Sequence, residues 1–120
     1  MNTLSSLPSA WLVSDGRVLA SANIADTARA KRRGLIGQQD LQTALVIAPC
    51  RWIHTVGMRF ALDIAYLDSE GTVIKVQRVN KNRVPLPVFS ARTVIEVKAG
   101  SFERWGLQLG ATVELSLIHI

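Results

Sequence analysis

One stretch, residues 50–63, carries most of the side chains in this chain that can do chemistry. It reads C-R-W-I-H-T-V-G-M-R-F-A-L-D and holds the only cysteine, one of the two histidines and one of the two methionines. Cys50, His54 and Met58 recur at intervals of four. A thiolate, an imidazole and a thioether are soft ligands suited to copper(I). An imidazole beside a thiol also lowers the thiol pKa and yields a nucleophile, so Cys50 with His54 is the seed of a thiol-dependent enzyme. A third reading is a binding cleft, with polar contacts from His54, Thr55 and Arg59 and a wall from Trp52. The plainest reading puts Cys50, Trp52 and Met58 in the core, with His54 and Thr55 satisfying nearby backbone.

Geometry decides how far these readings go. An ideal strand would spread the three soft ligands over more than about 25 Å, too far for one metal. Pro49 before them and Gly57 among them argue against one regular element. The expectation is irregular chain over residues 49–57, leading into a strand that starts near Met58. Asp63 stands alone in the apolar run F-A-L-D-I-A-Y-L. A carboxylate there is either solvated or buried with a partner, and Arg59 or Arg51 is near enough in sequence to serve. Contact with His54 would fix the imidazole tautomer and complete a Cys-His-Asp set. An ion pair or a cap on local backbone is the structural alternative.

The rest of the chain reads as short strands and tight turns. Asp15-Gly16 between W-L-V and R-V-L-A is a hairpin signal. Asp26 or Thr27 can cap a short helix near 27–33 that stops at Gly34. Gly34-Leu35-Ile36-Gly37 then suggests a turn; it lacks the Lys-Ser/Thr of a phosphate loop. A-L-V-I-A at 44–48 is a buried strand ended by Pro49. Residues 59–67 alternate, turn at Asp68-Ser69-Glu70-Gly71, and pair with T-V-I-K-V-Q-R-V at 72–79. A polar, proline-bearing loop covers 80–87. A strand at 92–98, a helix at 101–105 with Ser101 as its cap, and a last strand at 112–118 complete the pattern. His119 is expected at an edge. No β-α-β alternation with long helices occurs, so a doubly wound parallel sheet is not expected. The expectation is mainly β: a small antiparallel barrel or sandwich with one or two short helices.

Bulk composition bounds the function classes. A chain of 120 residues with 48% hydrophobic and 19% charged residues is one globular domain, 1–120. One cysteine makes neither an intramolecular disulfide nor a Cys-rich zinc site. No apolar run is long enough to span a bilayer. The N-terminus lacks the basic region of a secretory signal, so a cytoplasmic setting is the default expectation. Net charge is +5. It comes from Arg29, Lys31, Arg32 and Arg33, and from Lys75, Arg78, Lys81, Arg83 and Arg92, with no acid between Gly71 and Ile95. A basic face for an acidic partner is consistent with that balance. Aromatics do not interleave with the cations, which argues against a nucleic-acid surface.

Three segments carry a family resemblance: K-R-R-G-L-I-G at 31–37, P-C-R-W-I-H-T-V-G-M-R-F-A-L-D-I-A-Y-L-D at 49–68, and V-I-E-V-K-A-G with G-L-Q-L-G-A-T-V at the C-terminal end. The chain resembles the domain of unknown function 192 family over roughly residues 25–115. The resemblance implies a compact β-rich fold with no established activity, and many members look exported. Trp52 stands where smaller residues are common in the family. No catalytic set transfers from it. Together these readings predict a non-enzymatic module that binds a small ligand or a protein, with candidate contacts at Cys50, His54, Thr55, Met58, Arg59 and Asp63 and no cofactor. A thiol-dependent enzyme, soft-metal binding and a basic interaction face are the alternatives.

Overall fold

A computed structural model describes residues 9–25, 43–58 and 60–117. The helix and turn expected at 27–37, together with Arg59 and His119, lie outside these residues. Among the described residues, seven strands form one sheet: β1 (Ser9–Ser14), β2 (Arg17–Ala25), β3 (Ala44–Ile47), β4 (Leu62–Leu67), β5 (Val73–Val79), β6 (Thr93–Lys98) and β7 (Val113–Leu117). Their spatial order is β5-β4-β6-β3-β2-β1-β7. A five-residue helix, α1 (Ser101–Trp105), follows β6.

The hairpins form where turn chemistry demands them. Asp15 and Gly16 both take positive φ, at 54° and 76°, which matches the twist of β1 and β2. Asp68 Oδ1 accepts the N–H groups of Glu70 and Thr72, and this fixes the turn between β4 and β5. Every strand pair is antiparallel except β2 with β3, which is parallel. The mainly β expectation holds, while the sheet is mixed rather than wholly antiparallel. A parallel pair needs a long connection, and the 18 residues from Asp26 to Thr43 supply it. The fourth strand starts at Leu62, not near Met58, because the chain from 50 to 58 covers the sheet instead of extending it.

The sheet curls into a half-barrel. Its first and last strands in spatial order, β5 and β7, approach each other at one corner through the Thr72–Thr112 bridge. The Val113 N–H donates to the Gly71 carbonyl at 2.8 Å, and the Val73 N–H to the Ala111 carbonyl at 2.8 Å. The concave face packs Leu12, Ala22, Val46, Ala65, Ile95, Val97 and Val113. Helix α1 and the chain after it cover the end of this cavity with Phe102, Leu107 and the half-buried Trp105. The convex face of β3, β4 and β6 is not left to water. Leu45, Ile47, Ile64, Tyr66 and Val94 pack there under Cys50, Ile53, Met58 and Ala91 from the two long connections. Strands covered on both faces read as continuous apolar runs, as A-L-V-I and I-A-Y-L do.

Gly71 sits at the closing corner with φ 82°, and a Cβ there would stand 2.7 Å from the Val113 carbonyl oxygen. Backbone, not a flexible side chain, is what it would strike. Gly71→Ala is therefore expected to cost about 3 kcal/mol of stability, through positive φ and loss of the corner hydrogen bonds. Urea unfolding of the two proteins measures the difference.

Candidate functional site

The motif begins at a strand end and crosses the convex face. The peptide between Ala48 and Pro49 is cis and turns the chain out of β3. The Cys50 N–H donates to the Arg92 carbonyl at 2.9 Å, which ties this turn to the start of β6. Cys50 is buried, and its thiol donates to the Trp52 carbonyl at 3.2 Å. The Trp52 indole N–H donates to the Pro85 carbonyl at 2.7 Å. His54 lies against Trp52 with ring centroids 5.5 Å apart, and its Nδ1 accepts the Val56 N–H.

Thr55 is the hub of the segment. It is fully buried, and its hydroxyl donates to the Asn80 carbonyl at 2.6 Å while accepting the Arg83 N–H at 2.8 Å. Its backbone N–H donates to the Arg83 carbonyl, and its carbonyl accepts from both Asn82 and Met58. The Gly57 N–H donates to Asn82 Oδ1. Thr55 thus spends its polar groups clamping the two long connections together. Met58 packs in the convex-face core.

Asp63 faces the other way. Its Oδ2 accepts the N–H groups of Gly100 and Phe102, at 2.9 and 3.1 Å, and its Oδ1 accepts from Arg78 Nε at 3.1 Å. A strand carboxylate therefore caps the start of α1, where the backbone N–H groups have no partner within the helix. The partner is Arg78, directly across the ladder, rather than Arg59 or Arg51. Ser101 does not act as the cap: the N-cap is Gly100, and the Ser101 hydroxyl donates to the Lys98 carbonyl. With Asp63 committed to the helix end, no Cys-His-Asp constellation forms through it.

The candidate residues are thus divided by the fold. Cys50 lines a surface cleft, His54 lies beside Trp52, Thr55 and Met58 are inside, and Asp63 belongs to the opposite face. Among the described residues, no group of three or more His, Cys, Asp or Glu is placed to hold a metal. The cleft has a volume of about 900 Å³ and is lined by Cys50, Arg51 and Trp52 together with Ser90, Ala91 and Arg92. Arg51 Nε donates to the Ala91 carbonyl at 3.3 Å, which ties its side chain to that segment. Asp68 and Ser69 also line the cleft. Ser90 and Arg92 lie some 40 residues from Cys50–Trp52, and no local pattern in the chain announces that they meet.

A second feature lies beneath the covering segments. Glu96 is buried on the convex face, opposite Ile64 and Leu45 in the ladders. Burial raises its pKa from 4.5 to about 7. Gln77 faces Ile64 from the other side, and its buried Oε1 has no hydrogen-bond partner among the described residues. The buried Tyr66 hydroxyl has none either, and its pKa is pushed up to about 12 by burial and then by Cys50 and Glu96. The lone acid in V-I-E-V was the available signal for Glu96, of the same kind as Asp63 in its apolar run.

Two solved structures resemble this fold. One is from Sinorhizobium meliloti 1021 and is described as a candidate transcription regulator; it shares 18% identity, with TM-score 0.74, covering 90% of this chain and 92% of that one. The other is a protein of unknown function from Novosphingobium aromaticivorans DSM 12444, with 21% identity, TM-score 0.72, and 93% and 89% covered. At these identities the likeness concerns the fold alone. No curated protein matches the chain. A family model described as uncharacterized ACR, DUF192, matches residues 10–115.

Two outcomes follow from the carboxylates. Asp63→Ala strips the cap from α1 and leaves two backbone donors and Arg78 without their acceptor. It is expected to cost about 3 kcal/mol in urea unfolding, with Asp63→Asn intermediate. Glu96 behaves in the opposite sense to a salt-bridged acid. Its folded pKa lies above its unfolded one, so the folded state binds the proton more tightly, and stability falls as pH rises from about 4.5 through about 7. The whole penalty is roughly 3 kcal/mol at 1.36 kcal/mol per unit. Unfolding midpoints at pH 5 and pH 8 should therefore separate less in Glu96→Gln than in the unaltered protein.

Proposed function

Because the chain belongs to the DUF192 family, whose description assigns no activity, we propose a function from the chemistry of its own residues: it is a non-enzymatic binding module. Its site is the cleft at the start of the motif, and its ligand is a small anion with an apolar body. The observation that carries this is that two cations, Arg51 and Arg92, line one concave space together with Trp52. Guanidinium groups bind carboxylate and phosphate in bidentate fashion, and an indole face packs the apolar remainder. The Ser69 and Ser90 hydroxyls can add hydrogen bonds. Asp68 also lines the cleft, but its Oδ1 is engaged by the turn it builds. The volume lies within the range of small-ligand sites.

In this reading the rest of the motif positions the site. Thr55 clamps the 80–83 backbone, and Trp52 is aimed by its bond to Pro85. His54 packs against the indole. Cys50 lines the cleft with a buried thiol already donating to backbone, which supports binding over thiol chemistry.

Amide and indole NMR spectra recorded with benzoate and phenyl phosphate test this. Shifts are expected at Arg51, Trp52, Ser90 and Arg92, and Arg92→Ala should weaken binding about tenfold, the loss of one charge-assisted contact. Shifts confined to other surfaces, or affinity unchanged in Arg92→Ala, would overturn it.

A further inference from the structure

The 81–92 segment crosses the surface with its apolar side chains turned outward. Leu86 is 78% exposed, Phe89 76% and Val84 64%. Side chains of this size on a slack loop would fold back onto the protein. Here they cannot, because the backbone is pinned. The Asn82 and Arg83 N–H groups donate to the Thr55 carbonyl and hydroxyl. The Pro85 carbonyl accepts from Trp52, and the Val88 N–H donates to the Arg51 carbonyl. Pro85 and Pro87 restrict the chain further, each holding the residue before it extended. Pro85 and Val88 are turned partly inward while Val84, Leu86 and Phe89 point out. Single exposed apolar residues are ordinary, but three on one pinned segment mark an interaction surface.

Charge selects the partner. Lys81, Arg83 and Arg92 lie in the segment, and Arg51 is hydrogen-bonded to it; all are exposed. No acid occurs between Gly71 and Ile95, and the chain carries +5 overall. Like charge opposes docking this tip against a second copy of itself. Three apolar side chains also fall far short of the roughly 20–30 residues a side of a standard protein interface. Bulky apolar groups set among cations match an anionic bilayer, where the former enter the acyl boundary and the latter meet the headgroups. We infer that the 81–92 segment docks on an anionic membrane surface, with Leu86 and Phe89 entering the interface and Lys81 and Arg83 at the headgroups. Arg51 and Arg92 also line the cleft, whereas Leu86, Phe89, Lys81 and Arg83 do not, and the docking stands whether or not the cleft binds a small anion.

Sedimentation of the full chain with vesicles tests it. Vesicles of equal parts phosphatidylglycerol and phosphatidylcholine should bind the protein, and phosphatidylcholine alone should bind it at least about tenfold more weakly, since each cation at an anionic surface contributes severalfold. Binding to the anionic vesicles should weaken with added salt. The double variant Leu86→Ser, Phe89→Ser should lose at least about tenfold in affinity, with an unchanged melting temperature because both side chains are exposed. Equal binding to both vesicle types, absence of binding, or a double variant that binds like the parent would overturn the inference. So would sedimentation velocity showing a dimer that the double variant abolishes, since the patch would then belong to a second copy.

Discussion

A strand buried on both faces has to be covered twice, and that requirement shapes this protein. Strands β3, β4 and β6 lie side by side within the sheet, and they bury apolar side chains in both directions. Curling the sheet covers the concave side, with β1, β2 and β7 wrapping round and α1 sealing one end. Among the described residues, no second sheet lies on the convex side. Two irregular connections, 49–58 and 80–92, supply cover there instead. A connection lying on a core must satisfy its own backbone groups without a ladder. Thr55 meets that demand by joining the two connections with its hydroxyl, its N–H and its carbonyl.

The cleft and the exposed apolar tip are both consequences of this arrangement. The cleft forms where the first connection leaves β3 at Pro49 and passes the end of the second at Ser90–Arg92. The tip forms because the second connection is held by its backbone, so its side chains are left over. Pinned backbone and unspent side chains are the condition under which a loop presents groups to a partner rather than to its own core.

The two carboxylates in the doubly covered strands show how the same sequence feature reaches opposite outcomes. Asp63 stands near the end of β4, beside the start of α1 and opposite Arg78, and every one of its oxygens finds a donor. Its burial is stabilising because the helix terminus would otherwise lack a partner. Glu96 lies in mid-strand between Leu45 and Ile64, where neighbours are apolar and burial holds it near neutrality. Asp63 therefore holds architecture together, whereas Glu96 makes stability depend on pH.

Alternation and turn chemistry made the strands legible in the sequence: Asp15-Gly16 placed the first hairpin, Asp68 to Gly71 the second, and V-I-E-V-K the strand before α1. These are local signals, set by backbone sterics and by side chains two residues apart. The sequence also identified residues 49–57 as irregular chain, since proline and glycine interrupt any ladder. It could not say which side of the sheet each of the motif's residues would serve. Cys50, His54 and Met58 share a spacing but not a site, because the chain between them bends to cover a core. Asp63 met a helix 37 residues later instead of His54, and Arg92 came to line the cleft with Arg51. Such pairings depend on sheet register and on which loop lies over which face, and only long-range packing decides those. The parallel β2–β3 pair was hidden for the same reason: strand direction is set by the route of the connection, not by the residues of the strand.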